Sequence, residues 1–362
     1  MVLGTRPEAI KLAPLVLALR AQADVRLHVH CTGQHGAWLD EIFEWFGVPP
    51  DTRAQLPQGH TLAQSFGRVL EQTSELLEQL RPAAVVVQGD TTSALAASLA
   101  AFYARCPVVH VEAGLRTGDL EHPWPEEAHR RALTLLCAYH GAPTARDARA
   151  LVDEGVAPER VAVVGNTVID ALKWTQAKLA LAPSRPLPSA LKGAQRWVVV
   201  TLHRRENFQD DAHHEMIFAG LRRAARARPG VQWVLPAHAN PEVVEAQRQG
   251  VKGVDNLHVI ASQAYPDFVR LLGGARGVVT DSGGIQEEAQ ALGKPVVVVR
   301  QRTERRALLE RAGGRLAHDA QTLEAAIDWM LQSTPDASFP YGEGDASARC
   351  VEAIRRWLHD ED

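Results

Sequence analysis

The chain has 362 residues, enough for two domains that each bury a core, and its 39 Lys plus Arg stand against 43 Asp plus Glu. That balance leaves no basic excess for a nucleic-acid or membrane surface, so any bound anion must be held locally. Cys31, Cys106, Cys137 and Cys350 lie far apart with no CxxC pair, no apolar stretch is long enough to span a bilayer and no signal-peptide layout opens the chain, so a reducing cytoplasm is the expected setting.

Met1 to Leu3 form a first short strand, followed by Gly4-Thr5-Arg6-Pro7-Glu8-Ala9-Ile10-Lys11, with Pro7 suited to the opening of a helix. Arg6 then stands at the helix mouth and Lys11 about one turn in. Two cations beside free amides suit a pyrophosphate, although the same spacing describes an ordinary surface Arg and Lys. The run Ala84 to Val87 predicts a strand that delivers Gln88-Gly89-Asp90-Thr91-Thr92 to a helix over Ser93 to Arg105, so Asp90 is either a helix cap or an acid at a strand end. Val108 to Val111 is the next strand, with Glu112 emerging at the same edge. Pro123-Trp124-Pro125-Glu126-Glu127 opens a helix running to about Tyr139, where acidic residues suit the helix dipole whatever the function. Three carboxylates converging on one rim, from Asp90, Glu112 and Glu126, say more, because like charges sharing a cleft make one of them a usable acid or base.

Val161 to Val164 is a further strand. Between Lys173 and Arg196 the pattern lapses into a polar stretch with Pro183, Pro186 and Pro188, the expected connection between a first domain of 1–172 and a second of 173–345. Trp197 to Thr201 delivers His203-Arg204-Arg205-Glu206-Asn207, where a histidine among arginines favours its neutral form until a phosphate binds, or serves a structural network at the strand end. Strands follow at Val231 to Leu235, Leu257 to Ile260, Gly277 to Thr280 and Pro295 to Val299, and His238 has no assigned role. Thr280-Asp281-Ser282-Gly283-Gly284-Ile285-Gln286-Glu287-Glu288 carries the strongest local signal. A strand turning through two glycines into a helix presents backbone amides and a positive dipole end to nucleotide phosphates, with Glu288 about one turn inside to accept from ribose hydroxyls. Ser-Gly-Gly equally makes a tight turn with Ser282 as a plain helix cap. Ala346 to Leu358 reads as a closing helix, and the segment 346–362 is expected to pack back on the first domain.

Strands alternating with helices predict an α/β fold: two Rossmann-like domains whose parallel sheets face a central cleft, at the carboxyl ends of the strands where such sheets bind ligands.

Taken in order, GTRPEAIK at 4–11, QGDTTSALA at 88–96, HVEAGLRTGDLEHPWPEEAHR at 110–130, GNTVIDAL at 165–172, HRREN at 203–207 and TDSGGIQEEA at 280–289 resemble the non-hydrolysing UDP-N-acetylglucosamine 2-epimerases over almost the whole length. The resemblance implies a glycosyltransferase-B-like pair of Rossmann domains, a homodimer, and interconversion of UDP-N-acetylglucosamine and UDP-N-acetylmannosamine for cell-envelope polysaccharide. It implies no metal or redox cofactor, and no nucleic-acid or membrane partner. Asp90, Glu112, Glu126 and His203 match the catalytic set. Arg6, Lys11, Gln263, Phe268, Ser282, Gly283, Gly284, Glu288 and Arg305 match the UDP-sugar site, with Phe268 beside Tyr265-Pro266-Asp267 on a segment touching uracil.

Three departures stand out. Fewer residues than usual precede GTRPE, so a clipped first strand is expected. Arg306-Ala307 replace the usual Pro-Glu after Thr303-Glu304-Arg305, which affects the loop beyond Arg305. Gln34-His35-Gly36-Ala37 and Gln58-Gly59-His60 differ from the stretches with which bacterial members bind a second UDP-N-acetylglucosamine, so weak or absent activation of that kind is expected. The rival readings are a hydrolysing epimerase that frees N-acetylmannosamine, a glycosyltransferase of the same layout, and a non-catalytic UDP-sugar sensor.

Overall fold

The computed structural model describes residues 1–56, 59–182, 186–202, 211–238, 240–310, 313–333 and 340–360. The chain divides into two units, Met1–Trp174 with Tyr341–Asp362, and Thr175–Pro340.

In the first unit the strands are β1 (Val2–Leu3), β2 (His30–Cys31), β3 (Thr52–Arg53), β4 (Val85–Gln88), β5 (Val108–Val111), β6 (Tyr139–Ala142) and β7 (Val161–Val163). Its helices are α1 (Arg6–Arg20), α2 (Asp40–Phe46), α3 (Leu62–Leu80), α4 (Thr92–Tyr103), α5 (Glu126–Leu136), α6 (Ala145–Asp153) and most of α7 (Thr167–Leu181). Two all-parallel ladders run β1-β2-β3 and β4-β5-β6-β7. They meet where Val2 of β1 joins Val85 and Val87 of β4 in one apolar cluster, covered by Ala94, Ala97 and Leu133 of the helices. The short β1 is fully engaged: its register with β2 pairs Val2 with His30 and Leu3 with Cys31, and the Met1 amino group donates to the His28 carbonyl at 2.7 Å.

The chain stays helical through Lys173 to Leu181, so the division falls at 174/175, inside α7, and not at 172/173 in a proline-bearing connection. The segment TVIDALKWTQAKLAL has neither Gly nor Pro to stop a helix, which explains the difference. Likewise α5 ends at Leu136 and Tyr139 already belongs to β6, because the Ala138 amide has joined the sheet by donating to the Val108 carbonyl at 2.9 Å. The return to the first unit comes at 340/341, ahead of the expected 345/346.

The second unit holds one six-stranded parallel sheet in the order β10-β9-β8-β11-β12-β13, built from β8 (Trp197–Thr201), β9 (Gln232–Pro236), β10 (Leu257–Ile260), β11 (Gly277–Thr280), β12 (Val296–Val299) and β13 (Gly314–Ala317). Helices α8 (Asp211–Arg226), α9 (Pro241–Gly250), α10 (Tyr265–Gly274), α11 (Gly283–Ala291), α12 (Arg306–Glu310) and α13 (Ala320–Gln332) complete it. Both sheet faces are buried, and the valine runs divide between them by strand alternation. Val198, Val200, Val279, Val297 and Val299 pack on the α8 and α13 side, while Val199, Val278, Val296 and Val298 pack on the other. That two-sided burial is why the strands read as continuous apolar runs.

The final helix, α14 (Ala346–Asp360), packs on α1 and β6 of the first unit, with Trp357 stacked on Tyr139 at 5.5 Å. Its amino end is held by Asp170 of α7, whose carboxylate accepts from the Ser347 and Ala346 amides at 2.7 and 3.2 Å. A carboxylate suits the positive end of a helix dipole.

Candidate functional site

In the second unit, chain order reverses between β8 and β11, the switch point at whose carboxyl edge ligands of open α/β sheets bind. The first unit has its counterpart between β1 and β4. The motifs singled out in the sequence sit at these two places.

At the first switch point the turn after β1 leaves no space for a side chain at position 4, since a Cβ would lie 2.1 Å from both the Ser93 and Thr32 hydroxyls and force them to move. Thr5 and Glu8 form a capping box on α1. The buried Glu8 carboxylate accepts from the Gly4 and Thr5 amides at 3.0 and 2.7 Å, and from the Thr91 hydroxyl beyond β4 at 2.7 Å. It thus ties the turn after β1 to the turn after β4, and burial pushes its carboxyl above the usual range against the pull of those hydrogen bonds. The Arg6 amide donates to His35 Nδ1 at 3.2 Å, and the Arg6 guanidinium lies 3.7 Å from Glu41. Burial, and then the Arg6 charge, push the His35 imidazole below its ordinary value.

Asp90 is not the cap of α4, because Thr91 holds that position and accepts from the Ala94 amide at 2.9 Å. Helix α5 grips Asp90 instead: His129 Nδ1 donates to its carbonyl at 2.8 Å, and Arg130 reaches Oδ2 through Nε at 2.8 Å and Nη2 at 2.7 Å. The same guanidinium meets the fully buried Glu127 at 2.9 Å, which also accepts from the Thr117 and Gly118 amides at 3.0 and 3.1 Å. Of the two adjacent glutamates, Glu127 therefore holds the loop together, while Glu126 opens the helix that carries Arg130. Below the Gly89-Asp90 turn, His110 Nε2 donates to the Gly89 carbonyl at 2.7 Å.

Glu112 leaves β5 with φ of 65°, a left-handed conformation that costs a residue with a Cβ on the order of 1–2 kcal/mol. Its buried carboxylate accepts from Lys11 Nζ at 2.7 and 2.5 Å and from Asn166 Nδ2 at 3.0 Å. The sequence pairs Lys11 with Arg6 as two cations for a pyrophosphate; in the structure the Lys11 ammonium, buried in α1, lies against Glu112. Lys11 and Arg130 thus each place a cation on one of the candidate carboxylates.

At the second switch point the Thr201 and Thr280 hydroxyls meet at 2.6 Å, and Thr280 Oγ1 accepts from the Ser282 amide at 3.0 Å. Ser282 occupies the N-cap position of α11, yet its side chain makes no capping hydrogen bond. Among the described residues the amides of Gly283, Gly284 and Ile285 carry no hydrogen bond. They contrast with the start of α1, where Glu8 fills the Gly4 and Thr5 amides, His35 the Arg6 amide and Thr5 Oγ1 the Glu8 amide. Beneath α11, Arg305 donates to Glu287 at 3.1 Å and pairs with Glu304, which also accepts from Arg300 at 2.8 Å. Arg305 is buried, and a Cβ on Gly283 would meet its Cζ at 2.6 Å, so this guanidinium packs under the glycine turn. Helix α12 begins at Arg306, the residue after it. Glu288 accepts from the Tyr265 hydroxyl at 2.8 Å, which joins α11 to the start of α10. Half-buried Phe268 packs against the apolar cluster there, and Gln263 Nε2 donates to the Ala261 carbonyl at 2.6 Å. His203 lies outside the described residues. Among the described residues no cluster of three His, Cys, Asp or Glu side chains is placed to hold a metal, and no helix is long and apolar enough to cross a membrane.

An α/β chain with parallel sheets, an open helix N-terminus at one switch point and a carboxylate set at the other has the outline of glycosyltransferase-B-like nucleotide-sugar proteins. The profile of the UDP-N-acetylglucosamine 2-epimerase family matches residues 17–355. A probable UDP-N-acetylglucosamine 2-epimerase of Ralstonia nicotianae is 44% identical, covering 99% of this chain and 98% of that relative. The UDP-N-acetylglucosamine 2-epimerase of Escherichia coli K12 is 41% identical over 98% of this chain and 97% of its own. Among solved structures, the Neisseria meningitidis UDP-GlcNAc 2-epimerase bound to UDP-GlcNAc superposes with a TM-score of 0.91 at 35% identity, covering 98% of both chains. Staphylococcus aureus MnaA with UDP gives 0.92 at 35% identity, over 99% of this chain and 96% of that one. The chain belongs to the UDP-N-acetylglucosamine 2-epimerase family.

Proposed function

We propose that the protein interconverts UDP-N-acetylglucosamine and UDP-N-acetylmannosamine without hydrolysis, by elimination and re-addition of UDP. One observation carries the reading beyond family membership: the amides at the start of α1 are filled by Glu8 and His35, whereas those at the start of α11 are open. The diphosphate takes the open end, and the carboxylates of the first unit work on the sugar. Relatives solved with UDP-GlcNAc or with UDP support the choice of ligand.

The hydrogen on carbon-2 has no neighbouring carbonyl, so a carboxylate alone removes it too slowly. As the bond from carbon-1 to the diphosphate oxygen breaks, its electron pair leaves with UDP, and the oxocarbenium character at carbon-1 acidifies that hydrogen. A carboxylate takes the proton, a carbon-1 to carbon-2 double bond forms, and 2-acetamidoglucal stays beside UDP. Protonation from the opposite face and return of UDP to carbon-1 complete the inversion. In this reading the set of Asp90, Glu112 and Glu126 supplies the acid, the base and the negative charge on the sugar side. The open amides of Gly283 and Gly284 at the Ser282 turn, with Arg6 and His203, stabilise the departing diphosphate, each well-aimed donor contributing on the order of 3 kcal/mol. Gln263, Phe268 and Glu288 hold the nucleoside, Lys11 acts through Glu112, and Arg305 acts through the Gly283 turn.

Incubation with UDP-N-acetylglucosamine in heavy water, followed by NMR, tests this. The expected result is deuterium at carbon-2 of both UDP-linked epimers. Sugar freed from UDP would move the protein to the hydrolysing class, and binding without exchange would make it a sensor.

A further inference from the structure

Basic side chains gather at the amino edge of the second unit's sheet, opposite the edge that carries Ser282. Arg196 directly precedes β8, Arg276 directly precedes β11, and Lys294 stands two residues before β12, three neighbouring strands. With Arg228, which follows α8, and Asp328 and Gln332 of α13, Arg196 and Arg276 line a cavity of about 210 Å³. Two of these arginines are held in place by the protein. Arg276 Nη2 donates to the Leu331 and Ser333 carbonyls at 2.7 and 2.5 Å at the end of α13, while Arg228 donates to the Ala224 carbonyl at 3.1 Å and pairs with Asp328. Arg196 is exposed, and its guanidinium makes no hydrogen bond or ion pair among the described residues.

Of the residues lining the cavity, only Asp328 is acidic, against three guanidiniums. The Lys294 ammonium is pushed below its ordinary value, first by burial and then by the charge of Arg276, as expected where positive charge accumulates uncompensated.

We propose that this cavity binds a small anion of the diphosphate class. The lining carries two positive charges net, so a single negative charge leaves one of them in place, whereas a diphosphate offers several charges and many acceptor oxygens to planar guanidinium forks. At about 210 Å³ the cavity has room for an anion of that size. The inference stands on the second unit alone and holds whether or not the chain epimerises a nucleotide sugar.

The test uses the full chain with excess uridine monophosphate present throughout, which occupies a nucleotide site without offering a diphosphate, and titrates inorganic pyrophosphate by calorimetry at constant ionic strength. One pyrophosphate per chain is expected, with Arg196→Gln weakening it at least tenfold and Arg196→Lys weakening it less. Neither substitution should change UDP affinity or the ligand-free Tm. Absence of binding at millimolar pyrophosphate, or equal affinity in wild type and Arg196→Gln, overturns the proposal. Arg276→Gln is the less direct variant, since it also removes the hydrogen bonds at the end of α13.

Discussion

Replacing His110 by glutamine should remove a defined part of the protein's sensitivity to acid. The ring is 1% exposed, its Nε2 donates to the Gly89 carbonyl at 2.7 Å, and its Nδ1 has no hydrogen-bond partner. Burial pushes the imidazole from 6.5 to about 4. The Gly89 hydrogen bond and Asp90 oppose this, while Arg116 and Arg130 add to it. Because the folded value lies below the unfolded one, stability is complete above about pH 6.5 and is lost as pH falls toward 4, where the unfolded chain holds a proton that the folded chain refuses. At 1.36 kcal/mol per pH unit, the loss between pH 7.5 and 4.5 amounts to roughly 2.5 kcal/mol from this residue alone. Glutamine places an amide nitrogen where Nε2 stood and keeps a donor for Gly89, so at pH 7.5 the variant should lie within about 1 kcal/mol of the wild type. Neighbouring His140, pushed to about 3 by burial and then by His110, remains in both proteins. Urea unfolding at intervals from pH 7.5 to 4.5 gives the two stability curves. Parallel curves would refute the reasoning, because the imidazole would then take its proton without cost.

Gly4→Ala should destabilise by more than about 2 kcal/mol, because its Cβ would fall 2.1 Å from the Ser93 and Thr32 hydroxyls, which hold each other at 2.8 Å. A unchanged urea midpoint would show that the turn relaxes freely. Arg130→Met should cost about 3–5 kcal/mol by stranding buried Glu127 and should lower turnover by releasing Asp90. Arg131→Met, which removes a half-exposed arginine 3.7 Å from the same glutamate, should cost less than about 1 kcal/mol of stability, read from the urea midpoint. Equal effects from the two substitutions would remove Arg130 from its positioning role.

The second unit is the more legible, because β8, β11 and β12 are buried on both faces and therefore spell themselves out as valine runs. Strands β2 and β3 have two residues each and owe their conformation to pairing, β2 with β1 and β3 with β2, which nothing local encodes. The β6 sequence YHGA lacks β-branched residues, and Gly314 opens β13, so neither announces a strand. At the site, Thr5-Arg6-Pro7-Glu8 is a readable capping box, and Glu8 could have been found from that spacing. Arg130 on Asp90, Asn166 on Glu112 and Lys11 on Glu112 span 40, 54 and 101 residues, contacts that only the folded sheet creates.

These long-range contacts separate the three carboxylates chemically. A proton-transfer group must give up its charge once in each turnover. For Glu112 that step removes the partner of the buried Lys11 ammonium, the kind of loss that costs about 3–5 kcal/mol when a buried pair is broken. Asp90 is placed differently, because its partner Arg130 keeps Glu127 as a second carboxylate when Asp90 is neutralised. Glu126 stands in the first turn of the helix that carries Arg130, so one rigid element sets its position relative to Asp90. Under the proposed elimination the two faces of carbon-2 need two groups that exchange charge, and on this arrangement we propose Asp90 and Glu126 for that exchange. Glu112, held with Lys11 and Asn166 on a strained backbone, would then supply a fixed negative charge toward the oxocarbenium character that the proposed step develops at carbon-1.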